Sequence, residues 1–323
     1  MKVLVCGGAG YIGSHTVKEL LREGFDVVVF DNFSSGRKEL LVGGDIVKGD
    51  LDDKEEIQAV FRRHEVGAVL HFASLIQVGE SYLHPQKYYT HNLSTSLNLL
   101  EAMLEAGVKR FIFSSSAAVY GIPQQLPIPE SHPLVPSNPY GQTKLFVERI
   151  LQDYEKAYSL KFISLRYFNA AGADPEGQLG EMHDPETHLV PNILLRLLEK
   201  KETLELYGTD FPTPDRTAIR DYIHVTDLAS AHLLALKRLL SVPESDFINL
   251  GANRGYSVLE VIKKAEEVTG LKVTYKARPR RWGDVPVLLA SKDRAEQVLG
   301  WELNYSRLET IIETAWSWHK KQP

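Results

Sequence analysis

Tyr140-Gly-Gln-Thr-Lys144 sets a phenol and an ammonium four residues apart, which puts both on one face of a helix. No other of the 14 tyrosines is followed by lysine at that spacing. A solvated surface pair is the plain alternative, and location argues against it. Ser114-Ser115-Ser116 comes directly after Arg110–Phe113, which reads as a strand. The carboxyl ends of strands in an open parallel sheet line the ligand crevice, so the serines and the start of the next helix meet there. A phenol with pKa about 10 is a poor base at neutral pH. A lysine cation beside it, together with a positive nicotinamide, is expected to favour phenolate. Phenolate takes a proton from a hydroxyl while hydride leaves the same carbon, and Ser116 holds the developing oxyanion.

The hydride needs an acceptor, and Gly8-Ala-Gly10-Tyr11-Ile12-Gly13, preceded by Gly7, matches the dinucleotide fingerprint G-x-G-x-x-G. It follows a strand and opens a helix, so backbone approaches pyrophosphate closely and the helix N-terminus faces the phosphates. Asp31 closes the second strand about 20 residues on, where a carboxylate accepts from the adenosine ribose and repels the extra phosphate of NADP. The expected cofactor is therefore NAD. Asp50 ends the strand-like run Asp45–Gly49; it either reaches the adenine amino group or is a loop acid ahead of a helix start.

These residues must be carried by alternating elements. Val3–Cys6, Asp26–Phe30, Ala68–Phe72, Arg110–Phe113 and Phe162–Arg166 read as strands. Ile12–Glu23, Pro85–Ala106 and Pro139–Tyr158 read as helices, the second with Leu93, Leu97, Leu100 and Leu104 at helical spacing. Such alternation implies an α/β fold: a Rossmann-type doubly wound parallel sheet with a smaller C-terminal α/β substrate domain. The boundary is placed between 168 and 169, giving a 1–168 NAD-binding unit and a 169–323 substrate unit. The segments around 222–251, including Phe247–Leu250, are left open to rejoining the first sheet. Ser257-Val-Leu-Glu260 and Ser306-Arg-Leu-Glu309 each fit a capping box.

The 323 residues suffice for about two domains. A net charge of −5 gives no basic excess for a nucleic acid. The one cysteine, Cys6, forms no internal disulfide and reads as a small buried residue. The apolar run at the N-terminus is too short for a signal peptide and no stretch reaches membrane-spanning length, so a soluble cytoplasmic protein is expected.

Taken together, Gly7-x-x-Gly10-x-x-Gly13, the serine run, Tyr140-x-x-x-Lys144 and Arg166-Tyr-Phe-Asn169 resemble the extended short-chain dehydrogenase/reductase family. Ser114-Ser-Ser-Ala-Ala-Val-Tyr-Gly121, Ile219-Arg-Asp-Tyr-Ile-His-Val225, His71-Phe-Ala and Val78-Gly-Glu-Ser81 are similar to its UDP-glucose 4-epimerase branch. The resemblance implies C4 epimerisation of a UDP-hexose through a 4-keto intermediate. It implies Tyr140 as acid/base, Lys144 on the nicotinamide ribose and Ser116 on the sugar oxygen. Asn92 supports the catalytic helix and cofactor, and Phe168 flanks the nicotinamide. Asn32, Ser35, Gly36, Leu51, Phe72, Ala73 and Ser114 complete the cofactor lining. Asn169, His188, Leu189, Arg220, Arg281, Asp284 and Leu288 fall at substrate positions. On residues alone, Arg278-Pro-Arg280-Arg281 reads as a solvated basic run. A homodimer through the helices starting at Pro85 and Pro139 is implied, although the leucines of the first are equally well explained as core.

Several residues depart from the family pattern. Ala117 and Ala118 stand where dehydratases carry acids, which argues for plain epimerisation. Ile76 replaces a lysine near the cofactor, Cys6 a threonine, His188 an asparagine and Arg216 a glycine. Leu288 replaces a bulky tyrosine that gates the sugar pocket, which leaves room for an N-acetyl group. The other readings are a UDP-GlcNAc/GalNAc or UDP-pentose 4-epimerase and a non-catalytic NAD sensor. A metal site at His183 and His188 is not expected.

Overall fold

Apolar runs such as Val3–Val5, Val27–Phe30 and Phe111–Phe113 are buried along their whole length, as strands covered on both faces must be. The computed structural model describes residues 1–199, 203–281 and 283–322. Its first half runs β1 (Lys2–Cys6), α1 (Tyr11–Arg22), β2 (Asp26–Asp31), β3 (Asp45–Lys48), α2 (Lys54–Arg63), β4 (Val66–His71), α3 (Val78–Leu83), α4 (Pro85–Glu105), β5 (Arg110–Ser116), α5 (Pro139–Tyr158) and β6 (Lys161–Tyr167). There follow β7 (Asn169–Ala171), α6 (Leu189–Glu199), β8 (Leu204–Tyr207), β9 (Ile219–His224), α7 (Val225–Ser241) and β10 (Asp246–Leu250). The chain ends with β11 (Gly255–Ser257), α8 (Val258–Thr269), β12 (Tyr275–Arg278), β13 (Val287–Leu288), α9 (Asp293–Leu299) and α10 (Leu308–His319).

The central sheet has seven strands in the order β10-β6-β5-β4-β1-β2-β3, every neighbour parallel. Strand order reverses at β1, so the glycine turn after Cys6 lies at the switch point where such sheets bind ligands. Val17 and Leu20 of α1 pack with Leu228, Ala231 and Leu236 of α7 on one face. Ile57 of α2, Leu99, Leu100 and Met103 of α4, and Val147 and Leu151 of α5 cover the other. A separate core joins α6, α8 and α10 through Ile193, Val261, Ile262, Ile311 and Ile312. There β9 pairs antiparallel with β11 and parallel with β7 and β13.

The return to the first sheet that the sequence left open does occur: β10 adds its edge strand, pairing Ile248 with Leu165. Two other expectations need adjusting. Ser114–Ser116 are the last residues of β5, not a turn after it. Ser257 makes the expected capping box with Glu260, but Ser306 does not cap α10. Its hydroxyl donates to Asp227 at 2.6 Å and accepts from the His224 amide, so a long-range carboxylate outcompetes the local cap.

Candidate active site

Helix α5 starts where the sequence demands. Pro139 takes the first helical position, and the Asn138 side chain accepts from the Gly141 amide at 2.7 Å. Tyr140 therefore sits in the first turn with Lys144 one turn on. Lys144 Nζ is buried and donates to Ser74 Oγ and to the Ser114 carbonyl, each at 2.8 Å. It lies 5.0 Å from the centre of the Phe113 ring and 5.8 Å from that of Tyr140. Burial lowers the ammonium to about 7, against the pull of Glu148. Burial also pushes the Tyr140 phenol up, with its hydrogen-bond partner Ser116 acting the other way. The expected lowering counted on a lysine cation and a positive nicotinamide; in the protein alone desolvation outweighs the Ser116 hydrogen bond.

A buried ion pair sets the register of α5 on the sheet. Glu148, one turn beyond Lys144, accepts from Arg166 Nε at 2.9 Å and Nη2 at 2.7 Å, and from Ser115 and Ser164. Arg166 also donates to the Tyr120 hydroxyl at 3.0 Å, which donates to Asn249 of β10. Asn92 of α4 grips the opposite side. Its amide nitrogen donates to the Leu75 carbonyl and to Thr143 Oγ1, and its oxygen accepts from the Leu75 amide. Its polar capacity goes to protein groups, which makes it a support for α5 and for the loop carrying Ser74. The Glu148 network and Ser74 escape sequence reasoning. Only the Lys144–Glu148 spacing hinted at them.

The glycine turn is built to receive a pyrophosphate. Gly7 has φ +80°, and a Cβ there would lie 2.6 Å from the Ala73 nitrogen. A Cβ on Gly13 would lie 2.2 Å from the Gly7 carbonyl oxygen. At Gly10, which caps α1, a Cβ would press on the Gly7 carbonyl oxygen at 3.3 Å. Tyr11 anchors the helix start by donating to the Gly172 carbonyl at 2.6 Å, and half-buried Ile12 packs on the core. Asp31 Oδ2 accepts from the Ala9 amide at 2.9 Å and Oδ1 from Phe33 at 2.8 Å, while Gly36 packs directly on the carboxylate. Asn32 donates to Asp50 Oδ2 at 2.9 Å, and hydrogen bonds from Asp52 and Asn32 hold the Asp50 carboxyl down. Phe72 and Ala73 close the turn by donating to the Cys6 carbonyl. Ser114 Oγ is hydrogen-bonded to the Tyr167 hydroxyl. Ser35 is exposed, and Leu51 is buried in the core with its carbonyl taken by Asn98. These two side chains are the least engaged with the cradle. The glycines, the capless helix start and the acid at the second strand fit a dinucleotide.

In the second half of the chain, Arg220 of β9 has Nη1 on the carbonyls of Ile219 and Val285 and Nη2 3.5 Å from Asp284 Oδ1. Arg281 lies near enough to repel it and stacks 4.3 Å over Tyr207. Those two guanidiniums and Asp284 are brought together from segments 60 residues apart, which a solvated basic run would not require. Leu288 sits in register with Arg220 and packs with Phe168 on the cluster containing Val119 and Tyr120. Asn169 Nδ2 donates to the Asp221 carbonyl at 3.2 Å. Leu189 starts α6, while His188 before it turns its ring to Glu181. Arg216 has φ +66°, the conformation that makes glycine the usual residue there.

Residues 3–251 match the NAD dependent epimerase/dehydratase family. The chain belongs to this family. It is 48% identical to a UDP-glucose 4-epimerase of Lacticaseibacillus casei, covering 100% of this chain and 98% of that one. The crystal structure of UDP-glucose 4-epimerase from Brucella ovis in complex with NAD is 47% identical, covers 98% of this chain and 97% of that one, and superposes with a TM-score of 0.95. The Bifidobacterium longum enzyme in complex with NAD+ and UDP is 38% identical over 100% and 99% of the two chains, with a TM-score of 0.95. Ala117 and Ala118, directly after the strand-end serine, offer no acid or base beside it.

Proposed function

We propose that this member of the family interconverts UDP-galactose and UDP-glucose, with NAD as its resident cofactor. One observation carries the reading: a buried phenol–lysine pair and a strand-end serine converge on the loop that packs against the glycine cradle. When bound, NAD would accept hydride from C4 of the sugar, return it to the opposite face, and put a positive charge beside the phenol. Gly7, Gly10 and Gly13 would hold its pyrophosphate, Asp31 its adenosine ribose and Lys144 its nicotinamide ribose. Tyr140 takes the proton from the C4 hydroxyl and later gives it back, while Ser116 holds the sugar oxygen. Arg220 and Arg281 grip the pyrophosphate of the substrate, a task that suits planar guanidiniums, and Asp284 the uridine ribose. Anchoring thus falls on the nucleotide, and the sugar is left free to turn.

The test incubates the purified protein with UDP-galactose, with and without added NAD, and follows UDP-glucose by NMR. Conversion without added NAD supports both the reaction and a retained cofactor. Conversion only with NAD keeps the chemistry and points to Ile76 as the cause of weak retention. No conversion in either case removes the reading. Tyr140→Phe is expected to lower kcat by about 10²–10⁴-fold.

A second reading extends the substrate range. Leu288 is smaller than the tyrosine it replaces and borders the cluster beside Phe168, which favours acceptance of UDP-GlcNAc. Good turnover of UDP-galactose with none of UDP-GlcNAc would sink it. We also assign a homodimer through α4 and α5, which contact each other at Tyr89 and Phe146 while Leu97 stays 38% exposed on α4. Sedimentation at the mass of one 36.4 kDa chain would remove that assignment. We place the protein in the cytoplasm, because its lone cysteine is buried and calls for no oxidising compartment. No helix among the described residues is long and apolar enough to cross a membrane.

A further inference from the structure

We infer that the segment leading into α6 carries a divalent-cation site of the zinc class, formed by Glu181, His183, Glu186 and His188. The four side chains offer one ligand atom each, and these atoms lie within 4.8 Å of one another. His183 Nδ1 is 2.9 Å from Glu181 Oε1 and 3.9 Å from Glu186 Oε2. His188 Nδ1 converges on the same Glu181 oxygen. The two imidazoles stand 5.2 Å apart with their planes at 83°, as neighbouring vertices of one coordination sphere allow. Ligands on a single zinc at about 2.0–2.2 Å lie some 3.5 Å apart, so closing the sphere asks for side-chain shifts of about 1 Å.

This is more than a patch of surface acids. The Glu181 side chain is 4% exposed and that of Glu186 9%. The Glu186 carboxylate is also oriented from behind, and the main chain at Glu181 is held in place. The Glu186 Oε1 atom accepts from the amides of Thr187 and His188 at 2.7 Å each, while its Oε2 faces His183. The Glu181 carbonyl is held by the Trp318 indole at 3.2 Å. Such outer contacts fix the direction of ligating groups before an ion arrives. Once both imidazoles have given up their protons to an arriving ion, the two carboxylates balance its divalent charge. The mixed nitrogen and oxygen set selects against calcium and magnesium, which take oxygen donors, and fits zinc.

The segment that holds the cluster also touches the cofactor side of the molecule. The Tyr11 ring, at the start of α1 in the glycine cradle, lies 6.2 Å from that of His183. Arg37 donates to the Met182 carbonyl and pairs with Asp184 at 3.9 Å. A cation here ties the two ends of the 181–188 segment to each other, directly ahead of α6. It also makes the His188 side chain a metal ligand instead of a substrate contact. The inference stands whatever sugar the enzyme uses.

The test uses the full chain, stripped with a chelator, and the metal alone. Co²⁺ is expected to bind with one ion per chain and give the intense visible bands of a four-coordinate site. Zn²⁺ should displace it and raise the Tm, since an ion that binds only the folded state stabilises it by mass action. In His183→Gln and Glu186→Gln the bands should weaken and the Zn²⁺ affinity fall at least about tenfold. If the folded wild-type chain takes up neither ion in molar excess, the cluster is a hydrogen-bonded ion-pair network only and the inference is overturned. Uptake that both variants leave unchanged overturns it equally, by moving the ion elsewhere.

Discussion

Lys144 shows how one burial decides a chemical role. Its ammonium is lowered to about 7 because desolvation outweighs Glu148. Above that pH the folded chain has released a proton that the unfolded chain keeps until about 10.4. Stability should therefore rise with pH through this window and level off beyond it. Urea midpoints near the two ends should show the rise in the wild type and lose it in Lys144→Met. An equal rise in the variant would assign it to another group. Asp31 makes a second prediction at this scale. Each of its oxygens accepts one backbone N–H and keeps a lone pair for a ribose hydroxyl. A second phosphate some 5 Å from that carboxylate would be repelled by about 3 kcal/mol per unit charge at an effective dielectric of 20, so NADPH should bind at least ~100-fold more weakly than NADH. Equal binding in a fluorescence titration would take the role away from Asp31.

At the scale of elements, helix α5 is placed by contacts at its start and its middle. Asn138 and Pro139 start it, and the Glu148–Arg166 pair docks its middle on β5 and β6. The catalytic spacing is local, but its aim at the crevice depends on this pair. A loop supplies the prediction here. Arg216 is exposed and holds φ +66°, where a Cβ costs about 1–2 kcal/mol relative to the right-handed region. Glycine relieves that strain and gives back roughly 0.5–1 kcal/mol in unfolded-state freedom. Arg216→Gly should stabilise by up to about 1 kcal/mol, seen as a higher Tm. A lower Tm would mean that the guanidinium makes a compensating contact.

For the whole molecule, the sheet borrows from the second half of the chain. β10 closes the edge beside β6, and α7 covers the face that α1 alone would leave open. A fragment of residues 1–168 would expose Ile163, Leu165 and their neighbours. We expect it to lack a cooperative unfolding transition and to bind a hydrophobic dye. A soluble fragment with native near-UV dichroism would show that the first six strands suffice.

The elements of the first half were legible in the sequence because their signals are local. The glycine fingerprint, the helix opening at Pro139, and continuous apolar strands each act within one turn or one strand. Tyr140, Lys144 and the glycines followed from the same signals. Fold closure and the remaining site needed tertiary structure. Nothing near Phe247 says that it pairs beside β6, and nothing near Ser306 says that Asp227 takes its hydroxyl. Arg220 and Asp284 meet only because β9 and β13 pair. Glu181 and Glu186 gain meaning only when the segment folds back and buries both carboxylates against two imidazoles. A residue's chemistry can be read from its type and spacing, but its partners and its hydration are set by what packs on it. Both the charge on Lys144 and the reach of the arginines depend on that packing.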